Sequence, residues 1–256
     1  MTGARKAIGG LVALALVGAA VAWAALSDGD SDKTTAASPP QLAAPKLERE
    51  KPRLELSGRG EPIVWPRKGA RVAIRSAPGG KVVKTVGWRT PFESRTVFSV
   101  FRRVGRWAGA PTPVLPSGRL GWVKLDPAKL RSGWTPYSID VDLSSRTAQL
   151  RRGDRILRSF TVTVGAPGTS TPTGNFAVTD IFRGNINPVY GCCAVATTAR
   201  QLDLPSGWLG GDRIAIHGTT GPLGVAASKG CVRAADEDVS ALVDRVRLGS
   251  PVLIRQ

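Results

Sequence analysis

The sequence predicts a mainly β protein, and three observations carry that prediction. Of 256 residues, 30 are glycine and 19 proline, a density that favours strands joined by tight turns. Outside the N-terminus the apolar residues come in short Val- and Ile-rich runs, several alternating with polar residues at the two-residue period of a strand. A single stretch near the C-terminus carries the 3.6-residue period of an amphipathic helix. A chain of this length accommodates two small domains, at roughly 100–200 residues per domain, with enough core to need neither metals nor a disulfide framework.

The first element is a targeting segment, residues 1–26. Arg5 and Lys6 precede the uncharged stretch "AIGGLVALALVGAAVAWAAL" from Ala7 to Leu26, which as a helix would rise about 30 Å, the thickness of a bilayer core. Basic residues before it and the acidic "SDGDSD" after it predict a cytoplasmic N-terminus and a translocated remainder. "AWA" at 22–24 resembles a signal-peptidase site, so the segment is a signal anchor or a cleaved signal peptide. Either way the bulk of the chain works outside the cytoplasm, in the cell envelope, and the anchor reading ties it to the cytoplasmic membrane through residues 7–26. Residues 27–60 are polar, proline-containing and without apolar period, which reads as a flexible linker.

Residues 61–130 hold short apolar segments separated by turn signals. In "RVAIR" the alternation puts Val72 and Ile74 on one face, and "APGG" at 77–80 is a tight turn. The net charge of +17 concentrates here, with 14 basic against 3 acidic side chains. The segment "RVAIRSAPGGKVV", a "GRW" and a closing "GWVK" resemble bacterial SH3-type domains, which implies a small SH3-like β-barrel. Trp65, Trp88, Trp107 and Trp122 are either core of that barrel, the preferred reading, or the lining of a glycan groove. A basic domain outside the membrane meets anionic wall polymers or lipid headgroups rather than nucleic acid; simple solubility is the plainer alternative.

From about Pro136 to the C-terminus the strands lengthen. "SIDVDL" alternates Ile139, Val141 and Leu143 against Asp140 and Asp142, "RRGD" at 151–154 turns the chain, and "RILRSFTVTVG" returns. Further strands fall at "NFAVTDIF" and "DRIAIH". The one helix follows, with Asp236 as its expected N-cap, Val239, Leu242, Val243 and Val246 on one face, and Gly249 and Pro251 ending it.

The chemistry-bearing residues cluster in "HGTTGPLGVAASKGCVR", 217–233. His217 is the only histidine in the chain, and Cys231 needs a partner that accepts its proton if it is to attack as a thiolate. Lys229 and Arg233 flank the cysteine, and Gly230 allows close backbone approach, so the Gly230 and Cys231 N–H groups form a candidate oxyanion site. The bland alternative is a buried, inert cysteine beside a strand-end histidine. A zinc site built from Cys192, Cys193, Cys231 and His217 is disfavoured, because adjacent cysteines rarely turn both sulfurs toward one ion. No metal and no cofactor is expected.

"TPTGNF" (171–176), "IAIHGT" (214–219), "SKGCVR" (228–233) and "DEDVSALVDRVRLGSPVLI" (236–254) resemble the L,D-transpeptidase catalytic domain of the YkuD type, over residues 136–256. The resemblance implies a β-sandwich-like domain with a helix after the catalytic cysteine, Cys231 as nucleophile and His217 as general base. It further implies that Ser228 and Gly230 shape the motif loop, that Arg233, Tyr190, Gly218 and Lys229 lie along the substrate path, and that a backbone carbonyl within Gly218–Thr220 orients the imidazole, with Asp212 the weaker candidate. The implied partners are peptidoglycan stem peptides, a donor tetrapeptide and an acceptor amine, joined as 3-3 crosslinks through a cysteinyl thioester, and carbapenems as inhibitors acylating Cys231. The alternatives are an L,D-carboxypeptidase of the same fold and an inactive wall-binding protein. Relatives often carry histidine where Lys229 stands, which leaves His217 as the only imidazole base. Cys192 and Cys193 are read first as a vicinal disulfide, then as packed thiols, and last as partners for a bridge to Cys231.

Overall fold

A computed structural model describes residues 54, 56, 58, 60–184, 187–208 and 211–256. The expected membrane segment and most of the expected linker lie outside the described residues. Among the described residues no helix is long and apolar enough to cross a membrane.

Short alternating runs become short strands. In chain order these are β1 (Glu61–Pro66), β2 (Val72–Arg75), β3 (Val82–Val86), β4 (Phe98–Ser99), β5 (Arg102–Val104), β6 (Trp107–Pro111), β7 (Leu120–Lys124) and β8 (Leu130–Thr135). They form a three-stranded sheet, β4-β1-β8, and a five-stranded sheet, β3-β2-β7-β6-β5. Val72 and Ile74 of β2 are buried together with Val64, Phe98, Val123 and Leu130, and the half-buried Leu54 and Leu56 pack on that cluster ahead of β1. The 77–80 turn closes through Gly80 N–H donating to Ala77 O at 2.9 Å. Trp122 joins the interior. Trp65, Trp88 and Trp107 are half-buried, each under a guanidinium, those of Arg95, Arg89 and Arg75 respectively, 4.3–5.8 Å from the ring centroid. Such stacking keeps a charge solvated on one side while its apolar underside covers the ring.

The longer runs that follow give β9 (Tyr137–Asp142), β10 (Thr147–Arg152), β11 (Arg155–Thr161), β12 (Val164–Gly165), β13 (Gly174–Arg183), β14 (Cys193–Arg200), β15 (Arg213–Gly218), β16 (Ala226–Ser228), β17 (Val232–Ala234), helix α1 (Asp236–Arg245) and β18 (Pro251–Arg255). Eight of these strands form one sheet in the order β11-β10-β9-β18-β13-β14-β15-β17. The ten-residue β13 links its halves, pairing through Gly174–Ala177 with β18 and through Val178–Arg183 with β14. Ile139, Val141, Phe176, Val195, Ile216 and Val252 fill the interior with Val239, Leu242, Val243 and Val246 from the helix region. The helical face read from the sequence is therefore the buried face.

The helix start differs from expectation. Ala235 is the N-cap, without a side-chain cap bond, and Asp236 is the first helical residue. Its carboxylate is drawn instead to a partner 44 residues away, accepting from the Cys192 N–H at 3.1 Å.

Hydrogen bonds join the N-terminal region to the long sheet and its flank. Thr90 Oγ1 donates to Asp180 Oδ1 at 2.5 Å, Thr135 Oγ1 and Ser250 Oγ share a hydrogen bond at 3.0 Å, and Arg200 of β14 donates from its backbone N–H to Ser117 Oγ and from Nη1 to Pro113 O, each at 3.4 Å.

Candidate active site

His217 and Cys231 meet because β15 and β17 run parallel. The register sets Ile216 beside Val232 and His217 beside Arg233. Side chains alternate across a strand, so His217, Arg233 and Cys231 belong to one face, with Cys231 one step down, level with Ala215. On the other flank β14 sets Ala194 against His217 and Ala196 against Ala215. The face is thus a floor of alanines carrying one imidazole and one thiol. Both line a cavity of about 90 Å³ together with Arg233, Lys229, Tyr190 and Trp208.

His217 is buried, and its Nδ1 sits 2.8 Å from the Gly218 carbonyl oxygen. A carbonyl only accepts, so Nδ1 carries the proton and Nε2 keeps its lone pair. Burial, chiefly, lowers the His217 pKa below its ordinary value; the Gly218 bond opposes this and the Arg233 charge adds to it. Burial raises the Cys231 thiol above its ordinary value, opposed by the Ala215 N–H and the Arg233 charge. Imidazole and thiol therefore both rest neutral near pH 7, and the thiol sulfur lies 4.0 Å from the Arg213 carbonyl. The Tyr190 ring meets the imidazole edge-on, with centroids 5.0 Å apart and planes at 84°. Asp212 does not orient the histidine: its carboxylate is held by Arg200 Nε at 2.7 Å and by Arg200 Nη2.

The motif loop is held from beneath. Ser228, fully buried, donates to Cys231 O at 2.6 Å and accepts from Gly230 N–H at 3.1 Å. The Gly230 N–H is therefore engaged, which leaves the Cys231 N–H as the backbone donor of the expected oxyanion pair. Gly230 has φ +107°, and a Cβ there would lie 2.8 Å from Gln201 Nε2. Thr171 Oγ1 donates to Gly230 O at 2.8 Å and Thr169 Oγ1 to Ser228 O at 3.0 Å. Thr171 opens the "TPTGNF" motif, yet nothing in the local pattern says that its hydroxyl reaches a loop 59 residues on. Gly218 stands behind the site rather than on the cavity wall: a Cβ there would lie 2.0 Å from Asp236 Oδ1. Lys229 is exposed at the cavity rim and Arg233 half-buried in its wall.

Cys192 and Cys193 are joined by a disulfide and Cys231 is free. The Cys192 sulfur lies 3.3 Å from the Asp236 carbonyl oxygen at the start of α1. Residues missing from the sequence-based set are Thr169, Gln201, Trp208 and Arg213. Trp208 carried a readable signal, as a large aromatic in the turn-rich "LPSGWLGG".

Residues 136–254 match the family model of the L,D-transpeptidase catalytic domain, YkuD. The Bacillus subtilis (strain 168) protein YkuD, named for L,D-transpeptidase activity, is 33% identical over 123 residues, which cover 47% of this chain and 67% of that protein. Its Bacillus licheniformis counterpart is 34% identical over 121 residues, covering 46% and 66%. Among solved structures, Bd1075 of Bdellovibrio bacteriovorus aligns at 26% identity over 47% of this chain and 48% of its own, about half its length, with a TM-score of 0.38. The family-model match and the B. subtilis relative, together with a histidine and a free cysteine sharing one cavity, place this chain in the YkuD family of L,D-transpeptidases.

Proposed function

We propose that the protein is an exported peptidoglycan L,D-transpeptidase that forms 3-3 crosslinks between stem peptides through a Cys231 thioester. One observation carries the reading: His217 Nδ1–H donates a hydrogen bond to the Gly218 carbonyl, so Nε2 carries the lone pair that can accept a proton in the cavity that holds the Cys231 thiol. His217 Nε2 takes the thiol proton as sulfur attacks the donor carbonyl. The developing oxyanion is met by the Cys231 N–H. Collapse breaks the peptide bond, the imidazolium returns its proton to the departing D-alanine amine, and a thioester remains. An acceptor amine then attacks the thioester and passes its proton to His217. The crosslink forms, and the thiolate is reprotonated.

The remaining parts fit an envelope setting. The N-terminal segment anchors the chain, and the basic N-terminal strands, read as an SH3-like domain, hold anionic wall polymers. To test the reading, the full chain in detergent is incubated with disaccharide-tetrapeptide and the products are weighed, beside Cys231→Ala. Crosslinked dimers lost in the variant support transpeptidation. Tripeptide alone supports a carboxypeptidase, and untouched substrate from both proteins sinks the enzyme reading.

A further inference from the structure

A second cleft, of about 340 Å³, opens beside the catalytic cavity and shares Tyr190, Gly211 and Arg213 with it. Its floor is the alanine stripe that carries His217, namely Ala194, Ala196 and Ala215. Its wall is a ring pair, Phe92 against Phe182, with centroids 5.5 Å apart. Phe92 belongs to the N-terminal part of the chain and is 52% exposed, while Phe182 lies on β13. Two parts of the fold therefore build one cleft that adjoins the cavity of Cys231.

Arg213 is the cation of this cleft. Its Nη1 donates to Thr179 Oγ1 at 3.0 Å and to Thr197 O at 3.2 Å, and among the described residues its side-chain hydrogen bonds are these two. A guanidinium has five N–H donors in a fixed fork, so three are left for a ligand. Behind it stands Asp180, fully buried, with Oδ1 accepting from Thr90 and Oδ2 without a hydrogen bond, 4.0 Å from Arg213 Nη1. Burial lowers the Arg213 pKa, and the Asp180 carboxylate opposes that shift without occupying the fork. Apolar walls, a shallow alanine floor and one positioned fork suit an extended peptide with a carboxylate, because carboxylates match the guanidinium bidentately.

We infer that this cleft binds one arm of a stem peptide and that Arg213 selects it by a non-terminal carboxylate. The inference rests on the function proposed above and adds the feature of the substrate that is read. Thr90 and Asp180 act through Arg213 as positioning residues, and Phe92 supplies a wall.

The test measures binding, by calorimetry, to the full chain in detergent carrying Cys231→Ala, which turns nothing over. Two probes are compared: a stem tetrapeptide with free non-terminal carboxylates, and the same peptide with those groups as carboxamides. The free form is expected to bind about tenfold or more tightly. Adding Arg213→Gln is expected to equalise the two, Arg213→Lys to keep part of the preference, and Phe92→Ala to weaken both forms alike. Equal binding of the two probes to Cys231→Ala, or a preference that survives Arg213→Gln in a folded protein, overturns the inference. If Arg213→Gln does not fold, the comparison in Cys231→Ala and the parallel losses in Phe92→Ala decide. Failure to bind either peptide overturns the inference together with the proposed substrate. A wild type that shows the preference but forms no product leaves the inference standing and removes the transpeptidase reading.

Discussion

At the residue scale the neutral resting pair has direct consequences for pH dependence. His217 must be unprotonated to accept the thiol proton, and its pKa is lowered. Turnover therefore rises through an apparent pKa below about 6.5. The thiol is raised, so alkylation of Cys231 by iodoacetamide is slow at neutral pH and rises with a midpoint above about 8.5. A midpoint below 7 would reveal a preformed thiolate–imidazolium pair and contradict the geometry. Stability follows the same signs. As pH falls below about 6.5 the unfolded chain takes up the imidazole proton first, and as pH rises past about 8.5 it loses the thiol proton first. The pair's contribution is thus full between those values and is lost on both sides. Urea denaturation across pH is expected to show His217→Gln flattening the acid flank and Cys231→Ala the alkaline flank. The pair itself was legible in the sequence, because one histidine and one isolated cysteine sit beside glycines at strand ends. Its orienting group was legible only as a short span of carbonyls, of which the Gly218 oxygen is the one 2.8 Å from Nδ1. Asp212 misled because a carboxylate near a histidine in sequence says nothing of Arg200, which holds it.

Elements hold the motif loop through hydroxyls and glycines, while Ile214, Ile216 and Val232 seat its flanking strands in the core. Ser228 serves both ends of the motif loop at once, and Thr171 clamps it from the strand side. Ser228→Ala leaves a buried Gly230 N–H without its acceptor, a loss of about 1–3 kcal/mol. The expected readout is a Tm several degrees lower and a kcat reduced by more than the loss of stability explains. Gly230→Ala combines a left-handed backbone with a Cβ 2.8 Å from Gln201, so a cost of order 1–3 kcal/mol from backbone strain alone is expected, measurable by urea melts. Helix α1 was read correctly by its buried period but not by its cap. Periodicity reports which face meets the core, whereas the Asp236 carboxylate is placed by Cys192 N–H, a contact between distant strand and helix ends.

Across the whole molecule, the N-terminal strands are part of the site's surroundings and more than a neighbouring module. Phe92 and Thr90 reach the long sheet at Phe182 and Asp180, contacts separated by 90 residues that no local pattern encodes. Thr90→Ala leaves the buried Asp180 carboxylate without its hydroxyl donor, and a loss of about 1–3 kcal/mol is expected in urea denaturation. Unchanged stability would show that this contact is dispensable. The mainly β architecture was readable from alternation and turns, since both are local. The shared cleft was not, because it exists only after two regions dock.

The proposed reaction requires Cys231, with His217 as base, to carry the acyl group. The most direct test is intact-mass measurement of the full chain mixed with donor tetrapeptide without acceptor and quenched in acid, followed by peptide mapping. A tripeptidyl adduct is expected on the 228–233 peptide at Cys231, absent in Cys231→Ala and formed far more slowly in His217→Gln. Product formed with no adduct on Cys231, or an adduct whose rate is indifferent to His217→Gln, would contradict it.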